Sequence, residues 1–410
     1  MQRVFLLLLT LFALYACASS VPQMPDGGKS AEPVIEKPVP PAAGTEQILP
    51  SAPVSDQLAP PAVITAMPEP LPPSDGKPEP HIALLLPLKS AVFGSAADAV
   101  QQGFLAAANL KTNGLPVRVY ASLDESKDIV TLYRQAIANG ARAVVGPLTR
   151  NGAGTLAAKQ YIPVPTLALN VVDDQPAEQL YFFGMTAEPE ARHVAQLAKQ
   201  QGLHQAIVIA TRAQLSQRLQ FAFEEEWHTS GGMILREIEF NDDPAVLADI
   251  TGTHDTVVFL AANAEKSRLI RPYLSNKLPV YSTSQIFIGN DKTLTNYDLN
   301  GIRFVDVPWL LQPDHPAVMI YPRASPPLSA DRERLYALGI DAYRLIQLLL
   351  ANRVDTALPL DGVSGNIKLH GHVFTREPIL AVFQQGQAQL LDAPATPVPE
   401  VFPARIINAQ

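Results

Sequence analysis

Residues 81–88 read HIALLLPL, and this stretch decides the fold. It begins directly after Pro80 and is apolar without alternation, the pattern of a strand buried on both faces. Such strands belong to parallel sheets whose two faces are covered by helices. The next segment, AADAVQQGFLAAANLK (96–111), puts Ala97, Val100, Phe104, Ala107 and Ala108 at helical spacing. VRVYASL (117–123) predicts a second strand. Ser126 is placed to cap a helix with the apolar face Ile129, Leu132, Tyr133, Ala136 and Ile137, closed by Gly140. ARAVVGPL (141–148) predicts the third strand.

The alternation continues along the chain. A helix over 151–160 precedes the strand PTLALN (165–170), and LYFFGMT (180–186) leads to a helix carrying Ala191, Val194, Ala195 and Ala198. QAIVIAT (205–211) leads to a helix with Leu215, Leu219, Phe223 and Trp227, stopped by Gly231 and Gly232. MILREIEF, TVVFLAA, PVYSTS and IRFVDVPWLL supply later strands. The strongest helix is SADRERLYALGIDAYRLIQLLLANR, with Ser329 as cap and Leu335, Leu338, Ala342, Leu345, Ile346 and Leu349 as its buried stripe. Residues 81–148 and 205–262 both read β-α-β-α-β. Two such units predict two doubly wound α/β lobes, with ligands meeting the carboxyl ends of the strands in the cleft between them.

Outside this pattern the composition changes. The chain has one cysteine, Cys17, which excludes an internal disulfide framework and any multi-cysteine metal site. Before it stand Arg3 and an apolar run, Val4 to Leu14, too short for a spanning helix but matching a secretory signal. Residues 1–16 therefore read as a signal peptide. Residues 17–80 are dense in proline, with 16 of the 38 prolines between 21 and 80, and show no apolar period. Proline at this density blocks helix and sheet, so this stretch reads as a semi-rigid disordered tether of at most ~190 Å. Residues 81–392 form the folded part, and 393–410 a second proline-rich tail. Net charge is −8 without a basic cluster, which argues against nucleic-acid binding.

Chemistry-bearing motifs are sparse. NGAGTLA (151–157) fits G-x-G-x-x-A, with Asp173 and Asp174 about twenty residues on, but Gly146 already holds the strand end where a dinucleotide motif would begin. It reads as a glycine-rich helix start. His370-x-His372 suggests no further metal ligand and reads as a hairpin turn. Asp242 and Asp243 read as solvated or capping groups. Trp227 reads as core, and Trp309 as either core or cleft. The chain offers no catalytic constellation, no metal site and no cofactor site, so an enzyme is not expected.

Two resemblances bear on these readings. Leu14-Tyr15-Ala16-Cys17 resembles a bacterial lipobox. That implies a lipid anchor on Cys17 and, with Ala18 following it, the outer membrane with the chain facing the periplasm. The segment HIALLLPL…FGSAADAVQQGFLAAA with VVGPL resembles type I periplasmic binding proteins. PTLALN, FFGMTAEPEARHVA, YSTSQI, ALGIDAYRL and GVSGNIKLHGHVFTREPILAVFQQGQAQLL, with its Gly-x-x-Gly turn and Arg376, narrow this to the carboxyl-terminal domain of LpoA-type lipoproteins, the penicillin-binding protein activators. The resemblance implies a non-enzymatic outer-membrane lipoprotein whose partner is a class A penicillin-binding protein, a bifunctional peptidoglycan synthase. It departs from longer members, which carry a helical-repeat domain where this chain has the tether. The rival expectation is a solute-binding lipoprotein of an ABC transporter that takes a small-molecule ligand. Amino-acid binders of this fold carry a hydroxyl-rich stretch where this chain reads LALNVVDD, although YSTSQ (281–285) still offers polar groups. By the resemblance, the cleft is lined by Pro87, Leu88, Phe93, Gly146, Pro147, Leu148, Asn170, Thr186, Glu188, Ser284 and Gln285.

Overall fold

A computed structural model describes residues 78–159, 161–172 and 177–391. Cys17, the signal peptide, residues 17–77 of the tether, the tail 393–410 and the pair Asp173 and Asp174 lie outside the described residues.

The first lobe begins with β1 (His81–Leu86), α1 (Gly94–Asn109), β2 (Val117–Ala121), α2 (Glu125–Ala138), β3 (Ala141–Val145), α3 (Arg150–Ala157), β4 (Thr166–Ala168) and β5 (Leu180–Phe183). The chain then crosses to build α4 (Glu188–Gln200), β6 (Gln205–Thr211), α5 (Gln214–Thr229), β7 (Met233–Phe240), β8 (Thr256–Ala261), α6 (Ala264–Ile270), β9 (Val280–Ser282), α7 (Thr293–Asn296) and β10 (Ile302–Asp306). It returns through the short helices α8 (Pro308–Leu311) and α9 (Pro316–Met319) to the long α10 (Ala330–Leu350), then α11 (Val354–Ala357), β11 (Leu360–Asp361), β12 (Asn366–His370) and β13 (Val373–Glu377). A third crossing leads to β14 (Ile379–Gln384) and β15 (Gln387–Leu390) in the second lobe. The first sheet runs β11-β12-β13-β5-β4-β3-β1-β2 and the second β15-β14-β10-β9-β8-β6-β7.

This is the doubly wound, two-lobed α/β architecture that the alternation predicts. Strand β1 is buried at every residue, and its side chains serve two cores in turn. Ile82, Leu84 and Leu86 join α1 and α10, while Ala83 and Leu85 join α2 and α3. Each fully buried Leu contributes about 2 kcal/mol, so this one strand ties the helices on both faces to the sheet. Helices α1 and α10 cross very closely. A Cβ on Gly103 would stand 1.9 Å from the Tyr336 carbonyl oxygen, and one on Gly339 would stand 2.1 Å from that of Val100.

Several expectations are corrected. The unit 205–262 has no second helix: between β7 and β8 stands only one 3₁₀ turn, Pro244–Leu247, which the Asp243 side chain caps. IRFVDVPWLL is not one strand. It ends at Asp306, whose carboxylate accepts from the Val307 N–H, and Pro308 at the first helical position starts α8. PVYSTS likewise stops at Ser282, and a 3₁₀ turn over Ser284–Ile286 follows. The cap of α2 is Asp124, which accepts from the Ser126 N–H, so Ser126 lies inside the helix. Ser329 holds the cap position of α10 but makes no side-chain cap bond. Both sheets are mixed at one end, because the carboxyl-terminal strands enter as antiparallel ribbons.

Candidate functional site

The carboxyl ends of the first lobe's parallel strands open into a cavity of about 830 Å³. Its walls come from the loops after β1, β2, β3, β4 and β5 and from one face of α10. Of the predicted residues, Pro87, Phe93, Leu148, Asn170 and Thr186 meet here, with Phe93 half-exposed at the rim. Asn170 donates from Nδ2 to the Leu148 carbonyl at 3.1 Å and so ties two of these loops together.

The other predicted residues stand elsewhere. Leu88 packs against the core behind the loop. Gly146 is backbone structure: its φ is 107° and an added Cβ would meet the Leu85 carbonyl oxygen at 1.9 Å, which only glycine tolerates. Pro147 packs against Gly152, where an added Cβ would meet it at 2.9 Å. Glu188 pairs with Arg218 on α5, and Ser284 is buried between the lobes. Gln285 lines a separate cavity of about 510 Å³ at the strand ends of the second lobe, with Thr211, Asn241, Asp242, Asn263 and Lys266. The hydroxyls of YSTSQ turn inward: Tyr281 donates to Gln201 and Ser282 to the Leu260 carbonyl. The two cavities are thus each lined from one lobe alone.

Sequence reasoning missed the most constrained group in the first cavity. Glu125, in the first turn of α2, is 2% exposed. Its carboxylate accepts from the Leu148 N–H at 3.0 Å and the Thr149 N–H at 2.7 Å. Burial pushes its carboxyl upward, against the hydrogen bonds from Thr149 and Leu148. These N–H groups sit where β3 runs into α3, a place suited to a bound anion, and Glu125 already fills it. Next to it Asp124, held down to about 2 by Lys127 and Ser126, is solvent-facing. Gly152 is a close-approach glycine at the start of α3, in line with the helix-start reading of NGAGTLA.

A second missed constellation lies between the lobes. Arg334 of α10 pairs with the buried Asp306 at 2.7 Å, and Arg376 of β13 pairs with Glu190 of α4 at 2.8 Å. Trp309 is core, fully buried, with Arg323 3.8 Å above its ring and its indole N–H donated to Glu333. Trp227 is core as expected. His370 ends β12 and His372 falls in the hairpin turn, its Nδ1 2.8 Å from the Leu180 carbonyl. Among the described residues no cluster of His, Cys, Asp and Glu has a metal-binding arrangement.

The profile described as "LppC putative lipoprotein" matches residues 75–252 and 249–386. The chain belongs to the LppC family. The penicillin-binding protein activator LpoA of Photobacterium profundum is 27% identical over 344 residues, which cover 74% of this chain and 56% of that protein. The chain spans about half the length of the curated relatives it matches. The solved carboxyl-terminal domain of LpoA from Haemophilus influenzae, described as a regulator of PBP1A, superposes with a TM-score of 0.63 at 24% identity, covering 76% of this chain and 99% of that one. A solved chain from Chromobacterium violaceum, described as a "putative branched-chain amino acid ABC transporter", is 36% identical with a TM-score of 0.65, covering 74% of this chain and all of that one. LpoA and the periplasmic binding proteins therefore share with this LppC member the type I fold that its sequence suggests.

Proposed function

We propose that this chain is an outer-membrane lipoprotein, anchored through Cys17, that binds and activates a class A penicillin-binding protein during peptidoglycan synthesis. The observation that carries the reading is the set of curated relatives named penicillin-binding protein activator LpoA, which align with most of the folded part. The first cavity supports it from another side. The backbone donors best placed to hold a ligand's carboxylate are engaged by Glu125, as expected of a fold kept for its surface rather than for solute capture. In this reading the chain performs no catalysis itself, residues 17–80 supply reach through the periplasm, and 81–392 form the bilobal domain that meets the synthase.

The test uses the purified chain, a class A synthase and lipid-linked precursor. Crosslinked product should rise when the chain is added, and the two proteins should co-purify. No binding and no change in product would reject the proposal. The second reading, a solute-binding lipoprotein of an ABC transporter, is favoured by the Chromobacterium relative. Calorimetry against amino acids discriminates: saturable heat with a branched-chain amino acid would select it, and with it the cleft residues Pro87, Phe93, Leu148, Asn170 and Thr186 as contacts.

A further inference from the structure

Three short crossovers join the lobes, at 184–187, 307 and 378. A single string of buried polar groups runs past all three. Arg334, on the first lobe's α10, is 5% exposed. Its guanidinium donates to Asp306 Oδ1 at 2.9 Å and Oδ2 at 2.7 Å, and to the carbonyl oxygens of Ser284 and Phe287, both at 2.8 Å. All of these acceptors belong to the second lobe. The N–H of Ser284 donates in turn to Glu190 Oε2 at 3.1 Å, and Glu190 Oε1 accepts from Arg376 at 2.8 Å. Arg376 stands on β13, in the first lobe's sheet. The string therefore starts in one lobe, threads the other and returns.

We infer that this string locks the hinge: the two lobes form one body with a fixed cleft, and closure around a ligand is not available to it. Any rotation that separates α10 from β10, or β13 from α4, pulls Arg334 from Asp306 or Arg376 from Glu190. Either separation strands a buried charge, the costliest way to break an ion pair. Buried pairs add little stability over well-packed apolar side chains, so what this string imposes is geometry. Salt does not loosen it as it would an exposed pair such as Arg212–Glu239. Apolar packing runs with it, since Leu310, just past the second crossover, touches the core of each lobe. The inference is independent of the activator reading, because a fixed cleft holds whichever partner the surface meets.

Pulsed dipolar spectroscopy tests it on the full chain. Spin labels go on Arg134→Cys of α2 and Gln217→Cys of α5, both exposed, in a Cys17→Ser background. With the string intact, one narrow interlobe distance is expected, unchanged by L-leucine, L-glutamate, inorganic phosphate or high salt. Arg334→Gln with Arg376→Gln should give a distribution about twofold wider, as for a freed hinge. A broad or two-peaked distribution in the intact chain overturns the proposal, as does a shift on adding any of these probes. An equally narrow distribution in the folded double variant overturns it too. If that variant does not fold, the intact chain alone decides.

Discussion

Alanine at Gly103 adds one methyl group to the protein and should be among its most damaging small substitutions. The added Cβ would lie 1.9 Å from the Tyr336 carbonyl oxygen and 2.7 Å from the carbonyl carbon. Reaching ordinary contact at 3.4 Å requires about 1.5 Å of separation between α1 and α10. Neither obstacle can rotate away, because both are backbone. Separation would loosen Phe104 from Tyr343, whose rings meet edge-on at 5.3 Å, along with the alanines packed beside them. Gaps of this size forfeit about half of the dispersion energy across the seam or more, and overpacking costs about 3 kcal/mol at the upper end of its usual range. The better helix propensity of alanine returns about 1 kcal/mol. The net loss is then about 2 kcal/mol, or ~5 °C in Tm.

Gly339→Ala meets the mirror-image obstacle at 2.1 Å and should act in the same direction. The double variant should cost less than the two singles together, since one separation relieves both clashes. Gly154→Ala, inside α3 with nothing within 4 Å, is the control and should raise stability by about 0.5–1 kcal/mol. Thermal melts followed by circular dichroism decide the matter. A Gly103→Ala variant that melts with or above the parent would refute the close-crossing argument.

Asp306→Ala leaves Arg334 buried without its carboxylate and should cost about 3–5 kcal/mol in urea unfolding, whereas Arg334→Met with Asp306→Leu should recover most of that loss. Burial holds the His193 imidazole below its ordinary 6.5, against the pull of Glu377 and Glu190. The unfolded chain therefore takes up its proton first as pH falls through 6.5. Stability should drop from there toward the lower folded-state value, and His193→Gln should flatten that slope in urea melts run across the range. Thr149→Ala removes the α3 cap, which accepts from the Gly152 N–H at 3.1 Å, and should cost about 1 kcal/mol by the same assay. Cys17→Ser should move the chain from the membrane fraction to the soluble fraction, and an unacylated amino terminus in the native protein would dismiss the anchor.

Strand and helix order was legible because buried parallel strands announce themselves as apolar runs and their covering helices as stripes. HIALLL and the Leu338–Leu345–Leu349 stripe are local signals, and both survive in the structure. The interlobe charges were not legible. Arg334 sits among Asp331, Arg332 and Glu333 and reads as the solvated start of a helix, yet its partner Asp306 lies 28 residues away. The resemblance named Glu188, but the residue that reaches Arg376 is Glu190, two positions on and so on another side of the helix. Glu125 carries no local mark of burial either, since only the approach of β3 and α3 makes it so. The placement of β13 and β14 escaped for a related reason: their pairing with β5 and β10 joins residues far apart in sequence.

That late pairing has a consequence for synthesis and export. Strand β13 seats Val373 and Phe374 beside Phe182 and Phe183, and β14 seats Ala381 beside Phe304. Each lobe therefore waits for the last strands of the fold before its sheet is whole. Until they arrive, β5 and β10 present open edges of bare backbone beside apolar side chains, the kind of surface on which unfinished chains stick to one another. A premature stop at Val373 would remove less than a tenth of the chain yet leave both lobes unclosed. The protein's vulnerability during biogenesis is thus concentrated where β13 and β14 are still to pair, and there a chaperone would have most to shield.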